Sequence, residues 1–429
     1  MKMENLTVTP IQKFSKVLHL PGDKSISHRA VMLGAIAKGK TEIRNFLFAE
    51  DCLHTLKAFQ KMGLEASFQR KDRLTLWGKG LRGLKRPGGP IYLGNSGTSM
   101  RLLLGILAGQ SFTATLTGDP SLSQRPMRRV VFPLEKMGAK IEGRGGDLLA
   151  PLTVRGGLLK GIRYHLPVPS AQVKSAILLA GLYAEGKTTV IESFKTRDHT
   201  ERMLQHFGKR LTVKGPTVSV EGGDELKGSS VAVPGDISSA AFFIVLASAL
   251  EGSKLIVRNV GVNPTRLGLI RVLKRMGADI TLIPITVGHG SGEPWGDIEV
   301  RGRSLHGTLV PASEIPDLID EIPILMVAGA CATGETLFQQ ASELRVKETD
   351  RIFSMVTNLQ KMGVSIRNES DNVIIHGGKP FNGSRLQSFK DHRTAMSLAV
   401  AGRLAQKGKT VVGDVACIRT SFPDFINLI

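Results

Sequence analysis

The chain has 429 residues, 41% of them apolar, and a formal net charge of +20 from 57 Lys and Arg against 37 Asp and Glu. That length exceeds one ordinary core and makes two domains the expectation. There is no apolar leader, residues 240–250 form the longest apolar run, and a membrane span needs about 20 residues. Cys52, Cys331 and Cys417 are too far apart for a disulfide framework or a zinc site, so a cytoplasmic protein with no membrane partner and no metal is expected.

In chain order the first distinctive element is "LPGDKSISHRA", residues 20–30, a tight turn leading into a helix. Cations near a helix N-terminus are unfavourable by roughly 0.3 to 1 kcal/mol each, so Lys24 and Arg29 call for something negative in compensation. The helix gives way to a Gly and a β-branched run, "AKGKTEIRNF", and this succession recurs at Gly109, Gly186, Gly252, Gly334 and Gly408. Each Gly suits the left-handed position after a helix. Six such stops define a unit of about 70 residues.

In five units a second helix follows and ends at Gly63, Gly138, Gly208, Gly277 and Gly363. The sixth unit breaks off at "SFPDFINLI", and residues 1–20 are expected to supply its missing strands. The chain therefore reads as an α/β protein of two similar lobes, each of three repeated β/α units. The first lobe is residues 21–233 and the second is residues 1–20 plus 234–429, with a ligand cleft expected between them.

The polar residues gather at the entrances of the repeated helices: Lys24, Ser25 and Arg29; "GNSGTSMR" and "SQRPMRR"; "PSAQVKSA" and "KTRDHTERML"; "DLIDEIP" and "ELRVKETDR"; and "DHRTAM". Turn N–H groups, hydroxyls and guanidinium forks are the components of an oxyanion site. Taken singly, each Ser or Asp reads as an N-cap, and Arg101, Arg128 and Arg129 read as a solvated face. The co-occurrence of so many cationic entrances is what points to anionic ligands. Nucleic acid fits the charge less well, because single-strand binders set aromatic platforms among their cations and this chain has only 2 Trp and 3 Tyr.

"LPGDKSISHRA", "GNSGTSMR", "SQRPM", "SAQVKSA", "LRVKETDR" and "DHRTAMS", in this order and spacing, resemble the 3-phosphoshikimate 1-carboxyvinyltransferases, or EPSP synthases, from about residue 20 to 423. The resemblance implies a two-lobed enzyme that moves the enolpyruvyl group of phosphoenolpyruvate onto the 5-hydroxyl of shikimate 3-phosphate, without metal or organic cofactor. A monomer is expected. By position, Lys24 would touch both substrates. Ser25, Arg29, Ser170, Gln172, Arg197, Asp320 and Lys347 would hold shikimate 3-phosphate, and Gly97, Arg125, Gln172, Arg351 and Arg393 would hold phosphoenolpyruvate.

Asp320 is the candidate base and Glu348 the candidate acid, with Lys24 assisting. Asp317 lies in a similar Ile-Pro-Asp context, but only Asp320 keeps the family's spacing to Gly334 and Lys347. The resemblance also implies that glyphosate competes for the phosphoenolpyruvate pocket beside Gly97. Thr420 and Glu343 stand where some members carry Lys and Asn. The sister enzymes acting on UDP-N-acetylglucosamine show "KNAALP" at the first turn and a reactive Cys in the first lobe; neither feature matches here.

Overall fold

A computed structural model describes residues 5–284 and 292–429. The α/β class expected from the repeats is what the structure has. The chain divides into two compact units: one holds Gly22–Val233, and the other holds the described residues up to Pro21 together with those from Pro234 to Pro284 and Pro294–Ile429.

One sheet pattern is used six times. A central strand has a parallel neighbour on one side and an antiparallel partner on the other, and that partner usually carries a further antiparallel strand. In the Gly22–Val233 unit the central strands are Ala37–Arg44, Thr113–Thr117 and Lys187–Ile191. In the other unit they are Lys254–Gly261, Gly334–Phe338 and Thr410–Gly413. Parallel neighbours need a crossover. In most repeats a buried helix supplies it, as Gly97–Ala108 does between Ile91–Tyr92 and Thr113–Thr117.

Two parallel edge strands break chain order. Ser15–His19 precedes the first buried helix yet pairs with Lys254–Gly261, whereas Ser230–Ala232 pairs with Ala37–Arg44. The expectation for the N-terminal residues is therefore half met. Asn5–Val8 does complete the sixth sheet against Thr410–Gly413, but Ser15–His19 serves the fourth.

The six helices Lys24–Ile36, Gly97–Ala108, Ala171–Gly181, Ile237–Ala249, Ile322–Cys331 and His392–Leu404 are buried nearly all round, which their "RAVMLGAI" and "AILLAG" stretches allow. A helix-interior Gly costs roughly 1 kcal/mol against Ala, yet four of them carry one against a Thr of the following strand. A Cβ at Gly34, Gly181, Gly329 or Gly402 would come within 3.2 Å of Thr41, Thr188, Thr336 or Thr410. Close helix-to-sheet packing is the return.

Five of the six stop glycines have positive φ, as expected. Gly109 does not: it sits at φ −90°, and its missing Cβ instead makes room for Tyr183, whose Cγ would lie 2.2 Å away.

The N-terminal ends of these helices carry the candidate residues. Side chains of Asp23, Ser96, Ser170, Asp236 and Asp391 cap five of them, so the bland capping reading is correct for those Ser and Asp.

Candidate active site

Lys24 is the first residue of its helix, behind the Asp23 cap, and that first turn contains no acid. The missing negative charge comes from the next helix, Glu50–Lys61: Asp51 Oδ2 lies 3.2 Å from Lys24 Nζ, with side-chain exposures of 9% and 16%. The lysine is thus neutralised without being sealed from solvent.

Behind the pair, a buried line of polar groups ties three helix entrances together. His28 Nδ1 is 2.7 Å from Thr55 Oγ1, which is 2.6 Å from Ser99 Oγ, which is 2.6 Å from Ser96 Oγ. Burial first, then Lys24 and Arg29, push the His28 imidazole well below its ordinary pKa, so the ring is neutral at pH 7.

Gly97 opens the next buried helix. A Cβ there would lie 2.9 Å from Arg101 Nη1 and 3.1 Å from Arg125 Nη1, so two guanidiniums reach this helix entrance. Arg101 donates to Gln172 Oε1 at 2.7 Å, and Gln172 Nε2 donates to Thr98 Oγ1 at 3.0 Å. Arg125 donates to Asn95 Oδ1, and Asn95 Nδ2 donates to Asp119 Oδ2 at 2.7 Å. Guanidiniums oriented by amides at a helix N-terminus form a receptor for carboxylate or phosphate.

Arg29 turns inward. Its Nε donates to Thr200 Oγ1 at 2.7 Å, Nη2 to Ser175 Oγ at 2.9 Å and Nη1 to the Ser25 carbonyl at 3.0 Å. Burial lowers its pKa to about 10, with Glu201, Asp23 and Glu293 opposing and Arg197 adding to the drop. It remains charged at neutral pH. Ser170 caps its helix through Val173 N–H at 3.4 Å, and Arg197 stands half-buried just before the helix His199–His206.

The remaining candidates belong to the other unit. Arg351, 1% exposed, opens the helix Arg351–Lys361 and is enclosed by carboxylates. Its Nε donates to Asp391 Oδ2 at 2.8 Å, Nη1 to Asp320 Oδ1 at 3.4 Å and Nη2 to Glu348 Oε2. Burial alone would lower its pKa, but Asp391, Glu348 and Asp320 more than reverse that and hold it above the ordinary arginine range.

Asp391 Oδ1 also takes the N–H groups of Arg393 and Thr394. Arg393 Nη1 donates to the Asp320 carbonyl at 3.0 Å, and its Nε lies 3.7 Å from Asp320 Oδ1. Asp320, Glu348, Arg351 and Arg393 therefore form one cluster, with Lys347 half-buried next to Glu348. Asp317 lies elsewhere on the unit, paired with the exposed Arg271. Thr420 donates its hydroxyl to the Cys417 carbonyl at 2.7 Å, closing its own turn.

Sequence reasoning missed Asp51, Asn95, Asp119 and the Gln172 role of Arg101. Asp51 lies 27 residues from Lys24 in sequence, and no local spacing announces a pair made between separate helices. Among the described residues no group of His, Cys, Asp and Glu has the makings of a metal site. Cys52 is buried, and burial pushes the Cys331 and Cys417 thiols up to about 12. Among the described residues no helix is long and apolar enough to cross a membrane.

Comparison with known proteins covers the whole chain. The family model described as EPSP synthase (3-phosphoshikimate 1-carboxyvinyltransferase) matches residues 8–429. Relatives bearing the name 3-phosphoshikimate 1-carboxyvinyltransferase include one from Desulforamulus reducens, 50% identical over 99% of this chain and 98% of its own. Another, from Citrifermentans bemidjiense, is 51% identical over 100% of this chain and 99% of its own. Among solved structures, an EPSP synthase from Acinetobacter baumannii superposes with a TM-score of 0.87 at 46% identity, covering 99% of this chain and 97% of that one. With both a full-length family match and half-identical relatives, the chain belongs to the EPSP synthase (3-phosphoshikimate 1-carboxyvinyltransferase) family.

Proposed function

We propose that this enzyme transfers the enolpyruvyl group of phosphoenolpyruvate to the 5-hydroxyl of shikimate 3-phosphate and releases phosphate, as a step of the shikimate pathway. The observation that carries this reading is the family match over residues 8–429. The chemistry of the two residue groups supports it.

In this reading Gly97, Arg125, Arg351 and Arg393 hold phosphoenolpyruvate, with Gln172 reaching both substrates. Ser25, Arg29, Ser170, Arg197 and Lys347 serve shikimate 3-phosphate. Lys24 touches both substrates. Planar and tetrahedral anions suit guanidinium forks better than ammonium groups, which accounts for the Arg-rich set.

Asp320 takes the proton of the 5-hydroxyl as its oxygen attacks C2 of phosphoenolpyruvate, and Glu348 delivers a proton to C3. A tetrahedral intermediate results. C3 then returns a proton to Glu348 as the bond from C2 to the phosphate oxygen breaks, and Asp320 gives its proton to the leaving phosphate, which restores the double bond and both groups. Arg351, donating to both Asp320 and Glu348, keeps the two acid–base groups in register, while Lys24 offsets the charge that develops on the leaving phosphate.

We place the enzyme in the cytoplasm as a monomer with no nucleic-acid partner, its net charge of +20 serving to draw in anionic substrates. The direct test is phosphate release measured with both substrates together and with each alone. Release that needs both is expected; release from phosphoenolpyruvate alone, or none with both, overturns the reading.

A further inference from the structure

One buried ionic cluster has no part in the reaction as drawn. Lys174 has no exposed surface, although it lies only one turn into the helix that Ser170 and Gln172 begin. Its Nζ is 2.8 Å from Glu192 Oε2, 2.7 Å from Glu201 Oε1 and 3.4 Å from the Thr196 carbonyl. Glu192 in turn accepts from Thr196 through both the backbone N–H, at 3.2 Å, and the hydroxyl.

A buried ion pair of this kind is poor value for stability: taking charges out of water costs several kcal/mol per ion, and an apolar replacement of similar volume is commonly as stable. Its use must be sought in what it fixes. Lys174 clamps both ends of the connection between the strand Lys187–Ile191 and the helix His199–His206, the connection that carries Arg197. A parallel link runs beside it: Ser175 Oγ and Thr200 Oγ1 lie 2.6 Å apart and both accept from Arg29. Burial works against the ammonium, but Glu201 and Glu192 outweigh it and raise its pKa, so Lys174 is charged, while burial also raises the Glu201 carboxyl.

We propose that Lys174, through Glu192 and Glu201, is the positioning residue that sets Arg197 for the phosphate of shikimate 3-phosphate. The proposal rests on the function given above and adds to it a residue that touches neither substrate. It requires Lys174 to act through Arg197, which a double-mutant cycle measures.

The proteins compared are wild type, Lys174→Met, Arg197→Ala and the double variant. The readouts are KM for each substrate, kcat, and shikimate 3-phosphate affinity by calorimetry. Lys174→Met is expected to raise KM and Kd for shikimate 3-phosphate about tenfold while leaving kcat and KM for phosphoenolpyruvate within about threefold, and in the Arg197→Ala background to have almost no further effect. If the Lys174→Met protein does not fold, Glu192→Gln, which keeps the Lys174–Glu201 pair, takes its place in the same cycle with the same non-additive outcome.

An effect of equal size in both backgrounds, or a loss confined to kcat or to thermal stability, overturns the proposal. Wild type that fails to release phosphate with both substrates present would overturn the functional reading instead, and the two failures are thereby told apart.

Discussion

The two groups of candidate residues treat their cations in opposite ways. In the Gly22–Val233 unit, Arg101 and Arg125 donate to the amides of Gln172 and Asn95, which orient a guanidinium. In the other unit, Arg351 is held by Asp391, Glu348 and Asp320 together. An amide orients a cation, whereas carboxylate partners place groups that can take and give protons beside a cation that also meets the substrate. The first group is therefore suited to binding, and the second combines binding cations with groups able to transfer protons. Lys24 faces the carboxylate of Asp51.

The largest effect is expected where binding and chemistry meet. Lys24→Ala should abolish turnover while lowering the melting temperature by only a few degrees, because a partly exposed turn residue contributes little to the fold. Phosphate release and a thermal melt on the same preparation check this. A variant that keeps a tenth or more of wild-type turnover removes Lys24 from the site.

Next comes the proton-transfer group. Asp320→Asn should cost at least about 100-fold in kcat, the range of a general base. Asp317→Asn, which weakens a partly exposed pair with Arg271, should be mild. The reverse ranking would dissolve the division of labour between the two groups.

A smaller effect tests the binding group alone. Gly97→Ala is expected to raise the glyphosate inhibition constant more than KM for phosphoenolpyruvate, by about 1 to 3 kcal/mol of discrimination. The structure sharpens the alternative: the new methyl meets Arg101 and Arg125 at 2.9 and 3.1 Å. Equal rises in both constants would mean that displacing these two guanidiniums is the whole effect.

The smallest effect concerns the scaffold behind Lys24. Folded His28 is neutral, with a pKa well below the 6.5 of the unfolded residue, so below that pH the unfolded chain binds the extra proton. Its contribution is present above pH 6.5 and is lost as pH falls from there toward the folded pKa. The wild-type melting temperature should therefore fall more steeply than that of His28→Gln between about pH 6.5 and 5. Parallel curves would show that protonating His28 is not resisted.

Much of the fold was legible in the residues. The left-handed Gly after a helix is a local steric requirement, and it showed at Gly39, Gly186, Gly252, Gly334 and Gly408. Gly109 looked the same but answers to Tyr183, a partner remote in sequence, which no local pattern displays. Caps were legible for the same local reason. The destination of Ser15–His19 was not, since a short strand is compatible with either sheet and only the completed pairing with Lys254–Gly261 selects one.

For the candidate site, the motifs around Lys24, Gly97, Gln172, Glu348 and Arg393 stood out because each places polar residues at a helix entrance, a feature of local sequence. The pairing of those residues did not. Asp51 with Lys24, Asn95 with Arg125 and Asp391 with Arg351 each join separate elements. By itself the sequence determined the repeat, the helix ends and the residue types that gather there, because backbone sterics and hydrogen-bond capping act over a few residues. Only the tertiary structure decided that Arg125 meets the Asn95 amide and Arg351 meets the carboxylates of Asp391, Glu348 and Asp320, because charge interactions depend on distance through space and on burial.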